Sequence, residues 1–272
     1  MENVSEIIYE QEQFIPRLTE DVRNSLRENY QLSIPNECTG FIVRCLRIKD
    51  YDVDKASKLV KNFARSTHQL RDILEKFQPK FYKELYLNGL FTVLRSRDAL
   101  GRQVLIFRLG KVDPKAFDFD ETSCAAMLLF SYVVGQSLET QRKGIIFVHD
   151  LTGFGIQHVK SVKPGRLTQL IGLMQDGSPG RIKGVHLIFH PKVFGLIYHI
   201  VKPFLKEKLA KRIHFHGDDL TSLHKYLNPE TLPKSLGGIH EDSQCYDLPL
   251  LHKLIREETI HKELQAYSVP SL

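Results

Sequence analysis

The stretch GVHLIFHPKVFGLIYHIVKPFLKEKLAKRIHFHG, residues 184–217, holds two short apolar runs that are joined by a helical segment. The runs GVHLIFH and RIHFHG lack the regular polar alternation of half-exposed strands, so they predict strands that are buried on both faces. A helical crossover between two such strands is typical of parallel pairing. The stretch therefore predicts one strand, helix and strand unit of an α/β domain.

Two further apolar runs extend this unit towards the N-terminus. They are VLIFRL, residues 104–109, and GIIFVHD, residues 144–150, and helical segments separate them. Before them, GLFTVLRSRDALGR predicts an edge strand that enters a turn at Asp98 to Gly101. Together the runs predict a mostly parallel sheet.

The residues before about position 80 show helical patterns only. In DVDKASKLVKNFARSTHQLRDILEKF, Asp52 or Asp54 stands where a helix N-cap is expected, and Leu59, Val60 and Phe63 form an apolar face. The predicted organisation is a small helical domain over residues 1–80, an α/β domain over residues 81–250 and a helical tail over residues 251–272.

Composition agrees with a globular protein. The 272 residues are 42% hydrophobic and 26% charged, which is enough to bury a substantial core. The start, MENVSEIIYEQEQF, is acidic where a secretory signal is basic and apolar, and no apolar run reaches the roughly 18 residues of a membrane span. The four cysteines form no CxxC pair, which favours reduced thiols. We expect a cytoplasmic protein.

Sequence motifs for catalysis are missing. The chain contains no GxSxG, GxxxxGK[ST] or GxGxxG pattern. His214 and His216 share one face of a strand, but no acidic or cysteine partner lies at a recognisable spacing, and Asp150 after His149 is a candidate for anchoring a loop. We therefore expect no enzyme activity, no metal and no cofactor.

The segment between the last two runs has a broad apolar face followed by lysines. Pro203 cannot donate a helical hydrogen bond, so the helix is expected to kink or end there. The helical spacing of apolar residues includes Val193, Leu196, Ile197, Ile200, Val201, Phe204 and Leu205. A second helix, at about Thr122 to Glu139, is apolar almost all round, so it is either core or the wall of a pocket.

Basic residues cluster near this apolar helix, and the formal net charge of +6 suggests an anionic partner. A solvated charged face is the alternative explanation for such runs. Nucleic-acid binding would require interleaved aromatic residues or a reading helix, and neither pattern is evident. Beside an apolar helix, an anionic membrane is the favoured partner.

Several segments in the same order resemble the CRAL-TRIO lipid-transfer family, most closely its branch that carries tocopherol and retinaldehyde. They are RCLRIKDYDVDKA, GRQVLIFRLGKVDPKAF, LETQRKGIIFVHDLTGF, RIKGVHLIFHPKVF, VKPFLKEKLAKRIHFHG and LPKSLGG. The resemblance covers nearly the whole chain. It implies a helical N-terminal domain and a lipid-binding domain in which a mostly parallel sheet forms the floor, helices form the walls and a mobile amphipathic helix forms a lid.

The resemblance also implies the functional residues. The lid corresponds to Val193, Phe194, Leu196, Ile197, Ile200, Val201, Phe204 and Leu205. The pocket corresponds to Met127, Leu128, Ser131, Tyr132, Ile145, Phe147, His149, Leu170, Leu173, Met174, Ile182, Val185, Phe194, Ile197 and Ile200. A basic patch for phosphoinositide head groups corresponds to Arg47, Lys49, Arg181, Lys183, Lys208 and Arg212.

Ser131 and Tyr132 are the candidates for a hydrogen bond to a ligand hydroxyl. The chain departs from the family at three places: at His149, where relatives often carry an aromatic or apolar residue, at Ser178 and Gly180, which suggest a wider or differently shaped wall, and at Phe189, where an asparagine is common. The identity of the ligand therefore does not transfer from the family.

These patterns predict a monomeric, non-enzymatic carrier of one hydrophobic ligand, such as a tocopherol, retinoid or carotenoid, that associates transiently with phosphoinositide-bearing membranes. The first alternative is a phosphoinositide-binding adaptor or a phospholipid exchange protein in membrane traffic. The second is an enzyme that acts on a buried lipid, for which the sequence supplies no paired nucleophile and base.

Overall fold

The computed structural model describes residues 12–74 and 78–257. The α-helices in this part of the chain are α1 (Ile15–Tyr30), α2 (Thr39–Ile48), α3 (Val53–Gln69), α4 (Arg71–Leu74), α5 (Lys83–Leu87), α6 (Phe119–Gln136), α7 (Leu138–Lys143), α8 (Ile156–Ser161), α9 (Pro164–Gly172), α10 (Phe194–Val201), α11 (Glu207–Ala210), α12 (Leu220–His224), α13 (Asp242–Cys245) and α14 (Leu248–Arg256). A π-helical turn, Leu173–Gly177, continues α9.

The first three helices pack on each other through apolar stripes. The Asp52 side chain caps α3 by accepting a hydrogen bond from the Lys55 backbone N–H (2.9 Å), which decides between the two predicted capping residues. Leu59, Val60 and Phe63 are buried, as predicted for the apolar face. The same helix also packs against the π-helical turn, so the N-terminal helices contact the rest of the molecule directly.

The strands are β1 (Phe91–Val93), β2 (Gln103–Phe107), β3 (Ile145–Asp150), β4 (Ile182–Ile188) and β5 (Ile213–Gly217), which lie in chain order in one five-stranded sheet of the described residues. The edge strand β1 is antiparallel to β2, and the other three pairs are parallel. The turn predicted at Asp98 is present, because the Gly101 N–H donates to the Asp98 carbonyl (2.9 Å). The predicted α/β fold with a mostly parallel sheet is confirmed.

The two faces of the sheet belong to two hydrophobic clusters. Leu105, Phe107 and Phe147 face the larger cluster, which includes the N-terminal helices and α6. Ile106 and Val148 face the smaller cluster, which the C-terminal segment covers. Because successive side chains of a strand point to opposite faces, each buried strand supplies both clusters. The division into domains at residues 80 and 81 stays a prediction.

Helix α6 begins earlier and ends earlier than the predicted Thr122 to Glu139. Asp118 accepts a hydrogen bond from the Glu121 N–H, and Glu121 accepts one from the Asp118 N–H, both at 2.9 Å. This reciprocal capping fixes the start of the helix. Ser137 has an extended backbone and caps α7, which begins at the next residue. The capping residues therefore place both ends of the helix about three residues earlier than predicted, and the predicted buried helix itself is present.

The ends of the predicted segments fall differently. Helix α10 ends at Val201, and a 3₁₀ turn follows at Lys202–Phe204, which agrees with the predicted break at Pro203. The predicted tail begins inside α14, and residues 258–272 lie outside the described residues. No described helix combines the length and the apolar character needed to cross a bilayer.

Candidate functional site

A cavity of about 350 Å³ lies between one face of the sheet and helices α6, α9 and α10. A smaller chamber of about 140 Å³ lies deeper, towards α3. Residues common to both linings are Leu109, Ala126, Met127, His149, Leu173 and Met174, so the chambers adjoin. Among the described residues, no Asp, Glu, Lys or Arg lines either chamber. We call them the outer chamber and the inner chamber.

Most of the residues predicted for the pocket line these chambers. They are Met127, Ser131, Phe147, His149, Leu170, Leu173, Met174, Ile182, Val185, Phe194 and Ile197. Four predicted residues, Leu128, Tyr132, Ile145 and Ile200, are not in either lining. Residues one step further along a helix point about 100° away, so Leu128 and Tyr132 pack into the core beside Met127 and Ser131.

Residues of the segment 193–205 form one wall of the outer chamber. Phe194, Ile197, Val201 and Leu205 line the chamber. Sequence reasoning missed Tyr198, which also lines the chamber, although its helical spacing from Phe194 would have included it. The predicted lid residues Leu196 and Phe204 point outwards, with 54% and 53% of their surface exposed. The inner side of the segment is therefore apolar, whereas its outer side combines Leu196 and Phe204 with the exposed His199 and Lys202.

Polar contacts hold the end of this segment to the π-helical turn. The Gln175 side chain donates to the Phe204 carbonyl (3.0 Å) and accepts from the Lys206 backbone N–H (2.6 Å). The Lys206 ammonium pairs with the Asp176 carboxylate at 2.6 Å. We call these contacts the latch, and all of them lie near solvent.

A residue with a strained backbone, Phe189, lies just before the segment 193–205. Phe189 has a φ of 50°, in the left-handed region that β-branched and bulky residues rarely occupy. Its backbone N–H donates to the Gly217 carbonyl (2.7 Å), and its side chain packs against the smaller cluster. Asparagine tolerates this conformation better, which explains physically why that residue suits the position.

Where the two chambers meet, His149 is surrounded by aromatic rings. Its ring centroid lies 5.5 Å from that of Phe107 and 6.1 Å from that of Phe147. Burial among apolar groups lowers the pKa of His149 from 6.5 to about 4, so the imidazole is neutral at pH 7. Its remaining accessible surface faces the chambers.

The wall near Gly180 is shaped by an aromatic ring. Glycine and serine around Pro179 suggested a wider or differently shaped wall, and the ring of Phe130 occupies the space beside Gly180. A Cβ atom added to Gly180 would lie closer than 3.0 Å to that ring. The small residue therefore permits close packing of α6 instead of enlarging the chamber.

On the other side of this wall lies a polar cleft of about 580 Å³, which we call the basic cleft. Five of the six residues predicted for the basic patch line it, together with Lys55 and Lys206. These five are Lys49, Arg181, Lys183, Lys208 and Arg212. Met174, Ser178 and Ile182 line both the basic cleft and a chamber, so the wall between them is one residue thick in places.

Basic side chains lie close together in the basic cleft, which Asp50, Asp52 and Asp176 also line. Burial and the neighbouring charges of Lys208 and Arg181 lower the pKa of Lys49. Burial and the charges of Arg181 and Arg212 similarly lower the pKa of Lys183. A lowered lysine pKa means that the positive form is disfavoured, so an anion in the cleft would be stabilised.

Arg47, the sixth predicted residue, is not among the residues that line the basic cleft. Its guanidinium pairs with the Glu12 carboxylate at 2.8 Å. Its backbone carbonyl instead accepts a hydrogen bond from Arg181 (2.9 Å), so the contribution of Arg47 to the cleft is to position a neighbour.

The paired histidines of HFHG lie on the opposite face of the sheet from the chambers. Nδ1 of His186 and Nε2 of His216 are 2.9 Å apart, and the ring of His186 stacks on that of His214 at 5.0 Å. Burial and these neighbours lower the pKa of His186 to about 3. Within residues 12–74 and 78–257, no group of His, Cys, Asp and Glu is arranged to hold a metal ion. Asp150 anchors its loop, as predicted, by accepting from the Thr152 N–H (2.9 Å).

The family model described as CRAL/TRIO domain matches residues 87–238, more than half of the chain. The chain belongs to the CRAL-TRIO family. This membership confirms the resemblance seen in the sequence and makes the chain a member of a lipid-binding and lipid-transfer family. Proteins of this family are lipid carriers rather than enzymes.

Individual CRAL-TRIO relatives share about a third of the matched residues. The chain is 34% identical to the alpha-tocopherol transfer protein-like of Mus musculus over 217 residues, which are 80% of this chain and 63% of that protein. It is 32% identical to clavesin-1 of Rattus norvegicus over 201 residues, which are 73% of this chain and 56% of that protein. The chain therefore spans less than two thirds of the length of these relatives.

Among solved structures, the chain is similar to the crystal structure of Sfh5, with a TM-score of 0.57. The match covers 95% of this chain and 99% of that chain at 18% sequence identity. At this identity the similarity concerns the fold alone, and it agrees with the mixed α/β architecture.

Proposed function

We propose that this CRAL-TRIO protein is a carrier that binds one neutral hydrophobic molecule in the two chambers and transfers it between membranes. The observation that carries this proposal is the pair of adjoining chambers, which no charged side chain of the described residues lines. A buried charge on a ligand would lack a counter-charge there, and an unpaired buried charge is costly. A neutral lipid meets no such penalty.

In this proposal the segment 193–205 is the lid. Its inner residues cover the ligand, and opening it in water would expose them at roughly 25 cal/mol per Å² of apolar surface. A bilayer removes that penalty, and the outward residues Leu196 and Phe204 offer a first apolar contact with it. Opening is therefore favoured at a membrane surface.

The basic cleft is proposed as the membrane address, through binding of phosphoinositide head groups. Each basic side chain near an anionic leaflet contributes about 1 kcal/mol, so five together hold the protein reversibly. The lowered pKa values of Lys49 and Lys183 support this role, because phosphate groups would relieve the crowding of positive charge. The helical domain over residues 1–80 would supply Lys49 to a cleft that otherwise belongs to the lipid-binding domain over residues 81–250.

The same proposal places the protein in the cytoplasm as a monomer that meets membranes transiently, with no cofactor and no nucleic-acid partner. A second candidate is a phosphoinositide-sensing adaptor or phospholipid exchange protein. The size of the basic cleft, about 580 Å³, favours this candidate, because it offers room for a head group beside the lipid chambers.

Lipid analysis of the purified protein tests the carrier. We expect organic extraction of the protein from a eukaryotic host, followed by mass spectrometry, to yield a neutral lipid at about one molecule per chain. A phospholipid in its place would favour the second candidate. An empty protein that also binds no member of a neutral-lipid panel would contradict the carrier.

Two neighbouring positions supply a matched pair of variants. Ile197 is buried and lines the outer chamber, whereas Leu196 is 54% exposed. We expect Ile197→Asp to lose the extracted lipid and Leu196→Asp to keep it, with circular dichroism confirming that both proteins are folded. Equal lipid content in the two folded variants would contradict the assignment of the inner side of the lid.

A further inference from the structure

The inner chamber contains polar side chains without protein partners. Ser131, His149 and Ser178 line it, and none of the three side chains makes a hydrogen bond to another described residue. The hydroxyl of Ser178 is fully buried. The Thr67 hydroxyl, in the same lining, differs because it lies 2.9 Å from the Ala64 carbonyl. Three polar side chains that line the inner chamber therefore lack a protein partner among the described residues.

Such groups cost free energy unless a ligand or water satisfies them. A neutral imidazole offers one donor and one acceptor, and each serine hydroxyl offers both. His149 is packed against the rings of Phe107 and Phe147. These rings offer no hydrogen-bond partner to either nitrogen of its imidazole. The outer chamber is different, because His158 bonds through both nitrogens, to the Gly155 N–H (2.9 Å) and the Val112 carbonyl (3.0 Å). The unpaired imidazole thus faces the cavity.

The chemistry of the missing partner follows from the lining. No Asp, Glu, Lys or Arg of the described residues reaches the inner chamber, so a carboxylate, phosphate or amine there would be an unpaired charge. A hydroxyl both donates and accepts, so it can pair with His149 in either tautomer and with a serine at once. A hydrocarbon would leave all three side chains unsatisfied.

We infer that the inner chamber is a head-group subsite for a lipid alcohol, in which His149 and Ser178, with Ser131, hold the terminal hydroxyl while the hydrocarbon lies under the lid. The inference rests on the proposed carrier function and makes His149 a specificity-determining residue.

Phytol and phytane test the subsite, because they have nearly the same carbon skeleton and phytane lacks the hydroxyl of phytol. We expect the wild-type protein to bind phytol about ten-fold or more tightly than phytane, because a site with buried polar groups rejects an analogue that leaves them unpaired. His149→Phe keeps a planar ring of similar size, so we expect phytane affinity to stay while the preference for phytol falls below about three-fold.

Two serines supply matched variants. We expect Ser178→Ala to reduce the preference for phytol by about two-fold to five-fold, since one hydrogen bond is lost. Ser57→Ala should leave the preference unchanged, because Ser57 is buried outside both chambers and its hydroxyl donates to the Val53 carbonyl (2.8 Å). His149→Gln retains a hydrogen-bond donor and an acceptor, so we expect it to keep much of the preference for phytol. This result would show that the loss in His149→Phe comes from the missing hydrogen bonds and not from misfolding.

Titration of the ¹⁵N-labelled imidazole provides a readout that packing alone would not move. We expect the ring-nitrogen shifts of His149 to change on addition of phytol and to stay in place with phytane. Equal affinity of the wild-type protein for both probes would overturn the subsite and leave the carrier intact. Binding of neither probe, with no lipid extracted from the protein, would overturn the carrier and the subsite together.

Discussion

The two lipid chambers and the basic cleft share a wall, yet they disfavour charge for different reasons. In the chambers, burial among apolar rings lowers the pKa of His149 to about 4. In the cleft, burial also lowers the pKa of Lys49 and Lys183, and neighbouring cations lower each of them further. The wall residues Met174, Ser178 and Ile182 separate these two environments.

The difference indicates what each region can accept. A neutral lipid leaves His149 uncharged, so the chambers are suited to a ligand without charge of either sign. A polyanion in the cleft would instead raise the lysine pKa values again, because it reverses the local potential. Under the proposed function, a neutral ligand and an anion would therefore bind on opposite sides of one wall.

The largest expected effect comes from reversing charge in the cleft. Lys183→Glu combined with Lys208→Glu changes the cleft by four charges, which at about 1 kcal/mol each predicts a loss of roughly 10³-fold in affinity for phosphoinositide vesicles. Lipid binding should be unchanged, because neither lysine lines a chamber. Co-sedimentation with phosphoinositide vesicles measures the first effect and phytol binding the second.

A matched control for this variant reverses two lysines outside the cleft. Lys80 and Lys83 are exposed and line neither the cleft nor the chambers. We expect Lys80→Glu with Lys83→Glu to bind vesicles nearly as the wild type does. If both double variants lose the same affinity, net charge rather than the cleft controls docking.

The second effect concerns pH and the chamber histidine. The pKa of His149 is about 4 in the folded protein, where the ring is buried, and 6.5 in the unfolded chain, where it is not. As the pH falls, the unfolded chain therefore binds a proton before the folded protein does. Stability is therefore complete above pH 6.5 and decreases towards pH 4, by up to about 3 kcal/mol from this residue. Urea unfolding of the ligand-free protein across this range measures the decrease.

His149→Phe isolates this contribution from the other buried histidines, such as His186, whose pKa is also lowered. We expect the variant to lose less stability on acidification than the wild type does. Parallel pH dependence in the two proteins would show that His149 is not held neutral by the chamber.

The third effect tests the wall itself. Gly180 faces the cleft, and Gly180→Ala would press on the Phe130 ring of the inner chamber. Overpacking of this kind costs about 1–3 kcal/mol of unfolding free energy, and we expect phytol binding to weaken as the ring moves into the chamber. Denaturant unfolding and phytol titration measure both changes.

Two further substitutions control the wall variant. Phe130→Leu in the Gly180→Ala background should recover part of the stability, because the clashing ring is removed. Gly172→Ala should be neutral or stabilising, since nothing lies within 4 Å of its added Cβ atom. Equal losses from Gly180→Ala and Gly172→Ala would mean that backbone effects, and not contact with Phe130, explain the result.

The sequence predicted the fold better than it predicted the site. Apolar runs and a proline indicate strands and helix ends directly, which is why β2 to β5 and the end of α10 were found. The predicted burial of RIHFHG on both faces was wrong, because β5 is an edge strand and Phe215 is 42% exposed. Pocket residues on α6 were harder, because Met127 and Leu128 are equally apolar and only the rotation of the helix decides which one lines the chamber. Two family-based assignments, Leu128 and Tyr132, fell on the core side for this reason.

Contacts between distant segments were not visible in the sequence. The pairing of Arg47 with Glu12 and the shared wall depend on how helices meet, which local patterns do not specify. The latch is another case, because Asp176 and Lys206 are separated by 30 residues and carry no recognisable motif. The polar residues of the inner chamber were predicted only in part. His149 was predicted to line the pocket, whereas the unpaired, buried hydroxyl of Ser178 is visible only once the surrounding residues are placed.

The smallest expected effect concerns the latch, which lies between the end of the segment 193–205 and the basic cleft. Asp176 lines the basic cleft and also holds Lys206 at the end of the lid segment. An anion that enters the cleft would compete with the Asp176 carboxylate for Lys206, so docking would loosen the lid. Because the pair is largely exposed, its contribution should be at most about 1 kcal/mol.

Asp176→Asn should therefore raise the rate of phytol release to neutral acceptor vesicles by up to about five-fold. It should also increase binding to phosphoinositide vesicles, because it removes a negative charge from the cleft. Glu207→Gln is the matched control: Glu207 pairs with Lys211 at 2.6 Å, next to the latch, and does not line the cleft. If both variants release phytol at the same rate, general electrostatics accounts for release. If only Asp176→Asn releases phytol faster, the ion pair between Asp176 and Lys206 restrains the segment 193–205, and an anionic membrane would promote release by breaking that pair.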